Sequence, residues 1–254
     1  METKLPLLAV LIDADNISPK WAEAIFTEIA SFGEASVRRI YGDFTGSKLK
    51  GWTEKFASLA LIPHLQVANT TGKNSSDIAL VIDSMDLLHS GRVDGFVLVS
   101  SDSDFTRLAS RIREHGLPVY GIGQLKTPEA FRMACKRFIF VENLPEIEEV
   151  VKDTKPTASR NADANELGSG YKLLSKSVPL ILSAMKSLDA DGDWFVLSAV
   201  RAQLVAIKSD FDQRTYGYEK LGELFEATGQ FEVDRDSVPT RVRRKPQVKK
   251  KAAK

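Results

Sequence analysis

Two apolar runs that each end in an acid constrain the fold of this chain more than any other feature. Residues 5–12 are apolar throughout and give way at once to Asp13-Ala14-Asp15-Asn16. Phe96-Val97-Leu98-Val99 runs into Ser100-Ser101-Asp102-Ser103-Asp104-Phe105 in the same manner. Continuous rather than alternating apolarity predicts strands covered on both faces, as in a parallel sheet. Carboxylates just beyond such strands fall where an open parallel α/β sheet places its ligand crevice.

The rest of the chain alternates in the same way. Further strands are predicted at 35–41, 61–67, 119–122 and 138–141, and Pro63 makes the second of these short or peripheral. Helical patterns separate them. One starts at Ser18-Pro19 and ends at Gly33, one spans 51–61, and one spans 77–88 with Ser76 as N-cap. In that third helix Ile78, Val81, Ile82 and Met85 form the expected inward stripe. Two more cover 105–114, with Leu108, Ala109 and Ile112 inward, and 128–135. Such alternation predicts a three-layer α/β/α domain with a mostly parallel sheet over 1–145. Residues 146–168 read as a linker. Residues 169–238 read as a small winged-helix-like domain with helices at 173–188, 196–207 and 218–228, the first having Pro179 as an alternative start, and a strand at 231–233. Residues 239–254 read as a basic, disordered tail.

Net charge is only +1, so bulk charge announces no nucleic-acid binder. Its distribution says more. Residues 1–145 hold 16 Lys and Arg against 17 Asp and Glu, 146–240 hold 11 against 17, and 241–254 hold 8 against none. The single cysteine, Cys135, reads as a small core residue, and no Cys/His zinc spacing exists. His64, His89 and His115 lack metal-ligand spacing too. No apolar run reaches the ~18 residues of a membrane span, and the N-terminus lacks a signal-peptide pattern. A soluble, cytoplasmic protein is expected.

Asp13, Asp77, Asp102 and Asp104 are expected to converge on one site. Carboxylates grouped without opposing charge repel one another, and the grouping becomes favourable when a hard cation sits between them. Oxygen-only donors suit Mg²⁺ or Mn²⁺. An ion so held activates water and neutralises a phosphate oxygen during displacement at phosphorus. Asn16 lies beside Asp13, and Lys73 precedes Asp77, where it could contact the phosphate of a bound strand. Taken singly, Asp102 or Asp104 reads as a helix cap or turn former before it reads as a ligand. Asp15 reads as solvated, and Asp83, opposite the Ile78 stripe, and Asp86, at its edge, read as surface charges. Ser100, Ser101 and Ser103 lack a His partner for nucleophilic catalysis, and Gly121-Ile122-Gly123 is too short for a phosphate loop.

Leu11-Ile12-Asp13-Ala14-Asp15-Asn16, the stretch from Gly72-Lys73-Asn74 through Asp77 to Asp83, and Val99 through Phe105 resemble, in order, the three motifs of the NYN domain, the LabA-like branch of the PIN-like nuclease fold. The resemblance covers about residues 5–145 and implies a Mg²⁺- or Mn²⁺-dependent ribonuclease. It matches Asp13, Asp77, Asp102 and Asp104 to the family's acidic metal site, Asn16 to its Asn, and Asp83 to a recurrent family acid. Asn74-Ser75-Ser76 departs from the family's shorter or apolar approach to the Asp. Farther on, Asp193-Trp194-Phe195, Arg214-Thr215-Tyr216-Gly217-Tyr218 and Phe231-Glu232-Val233 resemble a LOTUS (OST-HTH) domain. That resemblance implies RNA binding, in some members with a protein partner, and points to Arg214, Tyr216 and Tyr218 as contacts. For both tyrosines, packing against the third helix is the alternative.

The leading expectation is a metal-dependent endoribonuclease with a C-terminal RNA-binding domain, the basic tail adding salt-dependent RNA affinity. A non-catalytic RNA- or protein-binding adaptor on the same fold is the second. The third is a small-ester phosphohydrolase, because Asp13-Ala14-Asp15 resembles the Asp-x-Asp of haloacid-dehalogenase phosphatases.

Overall fold

The computed structural model describes residues 4–65, 75–145 and 164–246. Most of the expected linker (146–163), Lys73 and the end of the basic tail (247–254) lie outside the described residues. The chain divides into two compact units, Met1–Val151 and Lys152–Lys254.

The first unit is built on six parallel strands: β1 (Leu7–Asp13), β2 (Glu34–Gly42), β3 (Ile62–Leu65), β4 (Gly95–Val99), β5 (Val119–Gly123) and β6 (Arg137–Phe140), in the order β3-β2-β1-β4-β5-β6. The unbroken apolar runs are central, as their composition demands. Leu8, Val10 and Ile12 of β1 enter the core under one face, and Ala9 and Leu11 enter the core under the other. Each fully buried Leu or Ile contributes roughly 1.5–3 kcal/mol relative to exposure. Helices α1 (Ala22–Ile29) and α2 (Lys50–Thr53) cover the first face. Helices α3 (Ser75–Ser90), α4 (Thr106–Glu114) and α5 (Glu129–Ala134) cover the second. The three-layer expectation holds, and every described pairing in this sheet is parallel.

The strand order reverses between β1 and β4. In open α/β sheets the crevice outside such a switch point is where ligands bind, because the connections on either side leave to opposite faces. The two acid-tipped runs are the two strands that flank it.

Two helices differ from expectation. The pattern at 51–61 yields only the four residues of α2. Trp52 is buried there with its indole N–H donating to the Ile17 carbonyl at 2.9 Å, and the chain then turns, with Ala60 at φ 51°, to enter β3. In α3 the expected inward stripe is corrected in half: Val81 and Met85 pack against the core, and Ile78 and Ile82 do not. Leu80, Ser84, Leu87 and Leu88 are the buried residues, whereas Ile78 and Ile82 are exposed. The core-facing stripe also has helical spacing, but Ser84 interrupts its apolarity. That hydroxyl is satisfied locally, donating to the Leu80 carbonyl at 2.7 Å, so burying it is cheap. Ser76 lies inside α3 rather than capping it.

The second unit holds α6 (Ala164–Lys186), α7 (Leu197–Ile207) and α8 (Leu221–Ala227) with an antiparallel sheet of β7 (Phe195–Val196), β8 (Phe231–Asp234) and β9 (Arg241–Arg244), ordered β7-β9-β8. Helices with a small sheet behind them are the expected winged-helix-like arrangement. Pro179 lies inside α6 rather than starting it, and α6 begins within the stretch read as linker. The start of the basic tail is corrected as well: Arg241–Arg244 is the central strand of the sheet. Val242 is fully buried, while Arg243 lies over the Trp194 ring at 4.4 Å and pairs with Glu232 at 2.7 Å. One apolar residue among arginines suffices, because arginine stems cover apolar surface while their heads stay in water. Counting charge hid this strand. Among the described residues no helix is long and apolar enough to cross a membrane.

Candidate metal centre

Asp13 closes β1 and is 1% exposed. Its Oδ2 accepts from the Ser100 hydroxyl at 2.7 Å and from the Asn16 amide at 2.6 Å. Its Oδ1 is buried with no hydrogen-bond partner among the described residues. Burial pushes the carboxyl pKa up and the neighbouring Asp15 adds to this, while the Ser100 and Asn16 hydrogen bonds oppose it. A buried carboxylate oxygen without a donor is costly.

Ser100 couples the two strand ends. Besides donating to Asp13, its hydroxyl accepts from the Asp102 backbone N–H at 3.0 Å. Asp102 in turn caps the short 3-10 turn Ser103–Phe105, its Oδ1 accepting from the Asp104 N–H at 2.9 Å. The capping alternative for Asp102 is therefore real and coexists with its place at the crevice. Gly123 at the end of β5 backs Ser100 closely: a Cβ there would lie 2.5 Å from the Ser100 carbonyl oxygen. The Gly121-Ile122-Gly123 sequence thus carries close packing, with no phosphate loop.

Asp77 sits in the first turn of α3. Its pKa is pushed up to about 6, first by burial and then by the charges of Asp13, Asp102, Asp104 and Asp15. Asp77, from α3, therefore stands in the field of Asp13 from β1 and of Asp102 and Asp104 from the turn after β4. Asp104 is exposed, and it shares with Asp77 the rim of a groove of about 280 Å³ floored by Ile78, Val81, Ile82 and Phe105.

The donor chemistry fits a hard divalent cation: oxygens only, one buried and orphaned, with like charges unrelieved. As the side chains stand, no three of the described His, Cys, Asp and Glu residues are gathered closely enough to hold an ion by themselves.

Asp15 is not simply solvated. It pairs with Lys48 at 2.7 Å, and its carboxylate, by hydrogen bond and charge, raises the Lys48 pKa. Lys48 is the described cation at this crevice, and sequence reasoning passed over it. Asp83 is not a free surface charge either. Its Oδ2 accepts from the Tyr41 hydroxyl at 2.8 Å, meets Arg39 Nη1 at 2.9 Å and lies 3.0 Å from His64 Nδ1. Burial, then Asp83, pushes the Tyr41 hydroxyl pKa up, and burial pulls His64 down against the pull of Asp83. Tyr41 is also the register partner of Asp13, and its carbonyl accepts from the Ala14 N–H at 2.9 Å. One residue thus ties the end of β1 to α3. Only the recurrent-acid match at Asp83 hinted at this.

In the second unit, Arg214 is engaged by Asp212, with Nε at 3.0 and 3.1 Å from its two oxygens and Nη2 at 2.7 Å. Tyr216 and Tyr218 are partly buried against the third core, and the Tyr216 ring centroid is 6.0 Å from that of Phe211. Burial raises the Tyr216 hydroxyl pKa, and Asp210 adds to the rise. The more exposed cations Arg201 and Lys220 line a groove of about 430 Å³ beside Gln213 and Glu219.

Comparison with known proteins completes the picture. Residues 7–143 match the model of the NYN domain, and residues 171–242 match that of the OST-HTH/LOTUS domain. No curated protein matches the chain. Among solved structures, a protein of unknown function from Vibrio parahaemolyticus is 19% identical with a TM-score of 0.45, covering 54% of this chain and 94% of its own. MurG of Acinetobacter baumannii is 12% identical with a TM-score of 0.36, covering 87% of this chain and 69% of its own. Neither likeness is close enough to inform fold or function. NYN domains are PIN-like and usually ribonucleases, and OST-HTH/LOTUS domains bind RNA. The family match spans more than half of the chain and displaces the phosphatase alternative: this chain belongs to the NYN family and carries an OST-HTH/LOTUS domain behind its nuclease-type fold.

Proposed function

We propose that the chain is a metal-dependent endoribonuclease that hydrolyses RNA phosphodiesters, with its C-terminal domain holding the RNA. The observation that carries this reading is the buried, unpartnered Oδ1 of Asp13, together with Asp77, whose pKa burial and then the charges of Asp13, Asp102, Asp104 and Asp15 push up to about 6. Asp13, Asp77, Asp102 and Asp104 would hold Mg²⁺ or Mn²⁺. A bound ion would supply activated water and neutralise charge on the phosphate. The chain's own residues do the rest. Ser100 and Asn16 fix Asp13 through Oδ2 and leave Oδ1 open. Asp102 is locked in place by the turn that it caps. Asp77 takes part as the carboxylate, so function needs a pH above its raised pKa or a cation that lowers it. Lys48, and Lys73 from the segment before α3, would contact phosphates of the strand. In the C-terminal domain Arg214, Tyr216 and Tyr218 would shape the RNA-facing surface from within, and Arg201 and Lys220 would meet phosphates directly.

One observation favours a second reading, an adaptor that holds RNA without turnover: no three of the described acids are already gathered around one point. Cleavage of a labelled RNA by the full chain with Mn²⁺ or Mg²⁺ separates the two. The nuclease reading expects cleavage that disappears with EDTA and with Asp102→Asn. Tight RNA binding without cleavage under either ion favours the adaptor.

A further inference from the structure

The face of α3 that turns away from the core leads to the acids. Ile78 and Ile82, one helical turn apart, are 60% and 56% exposed. With Val81 and Phe105 they floor the groove whose rim carries Asp77 and Asp104. Carboxylates at the rim repel phosphates and acidic side chains, so the group that lies on this apolar floor is not an anion. The described cation of the crevice stands across from it. Lys48 precedes Leu49, which packs in the core under the opposite face of the sheet, whereas α3 packs under this one. A polynucleotide carries both halves that such a crevice asks for, an anionic phosphate and an apolar-faced base on the same residue.

We infer that the α3 groove seats one unpaired nucleobase beside the phosphate at the acid site. This inference rests on the ribonuclease reading above. In a duplex the base is stacked and paired, and reaches such a groove only by being flipped out. The aliphatic floor reads the face of the base rather than its hydrogen-bonding edge, so the subsite tolerates any base.

The test uses the full chain with Mn²⁺, an unstructured labelled RNA, and matched strands with one abasic ribose moved along the sequence. Loss of one base is expected to suppress cleavage at one adjoining linkage about tenfold, the scale of one buried apolar contact. The Ile78→Ser/Ile82→Ser double variant should lower cleavage of the intact strand by a similar factor and lose sensitivity to the abasic position. Ile62→Ser, at a residue 59% exposed on β3, should change neither. If the double variant cleaves like wild type, or abasic strands are cut evenly, the groove inference falls and the nuclease reading stands. If wild type cuts nothing, 4-thiouridine crosslinking decides: crosslinks within 75–82 or 103–105 keep the groove without the nuclease, and crosslinks confined to 171–242 overturn the groove too. A dimer in sedimentation that the double variant abolishes would assign the groove to a second copy and overturn the inference.

Discussion

The C-terminal unit and the β1/β4 crevice treat charge in opposite ways. In the C-terminal unit, arginines meet acids: Arg214 with Asp212, Arg235 with Glu226, Arg241 with Asp191 and Arg243 with Glu232. At the β1/β4 crevice, Asp77 feels the charges of Asp13, Asp102, Asp104 and Asp15, and of these acids Asp15 pairs with a lysine, Lys48. Paired charge holds a fold together and is nearly neutral to it in net energy. Unpaired like charge at a switch point costs stability and persists where a ligand supplies the missing sign. Substitutions in the two units should accordingly have opposite signatures.

The largest effect is expected at Asp13. Asp13→Asn removes a buried anion yet keeps an oxygen for Ser100, so the fold should hold, with a melting temperature at or above that of wild type without ions. Metal-dependent RNA cleavage should fall about a thousandfold or more. Kinetics and thermal melts of the same preparation check both halves. A destabilised Asp13→Asn would mean that the anion is structural.

Arg214→Ala breaks the comparison from the other side. It leaves Asp212, whose side chain is 4% exposed, with the backbone N–H of residue 214 but without the guanidinium, and should destabilise the C-terminal unit by about 1–3 kcal/mol in denaturant melts. Cleavage of a short RNA by the first unit should be little changed. If Arg214→Ala leaves stability intact but weakens RNA binding, the residue meets RNA directly.

The pH dependence is smaller and has a definite sign. The Asp77 carboxyl is raised from 3.8 to about 6, so the folded state holds its proton more tightly than the unfolded state does. That contribution is fully present below about pH 4 and is lost as pH rises through about 6. Without ions, the stability difference between wild type and Asp77→Asn should therefore shift against wild type as pH rises across this window. Melts in EDTA from pH 4 to 7 test this, and a flat difference would show that neither burial nor the other acids raise the Asp77 pKa.

The smallest effect is expected at Arg243. Its ion pair with Glu232 is partly exposed, and its stacking on Trp194 lies at the surface. Arg243→Ala should cost about 0.5–1 kcal/mol in the same melts.

Much of this contrast was legible in the residues, for identifiable reasons. Strands buried on both faces announce themselves as unbroken apolar runs, so β1 and β4 and the acids at their ends could be read directly. The core face of α3 could not, because Ser84 breaks its apolar stripe while Ile78 and Ile82 complete a better one on the outer face. Strand β9 was masked by its own arginines around a single inward Val242. Asp83 read as surface because Tyr41, Arg39 and His64 are distant in sequence and meet it only once β2 and β3 lie beside α3. Ser100 was weighed only as a nucleophile, and its role is to orient Asp13.

The most direct measurement of the central claim is calorimetric titration of Mn²⁺ into the metal-stripped full chain, beside Asp13→Asn and Asp77→Asn. The account predicts saturable binding of the ion to wild type near pH 7.5 with release of protons below about pH 6, and weak or no binding to either variant. No binding to wild type, or equal binding to all three, would contradict it.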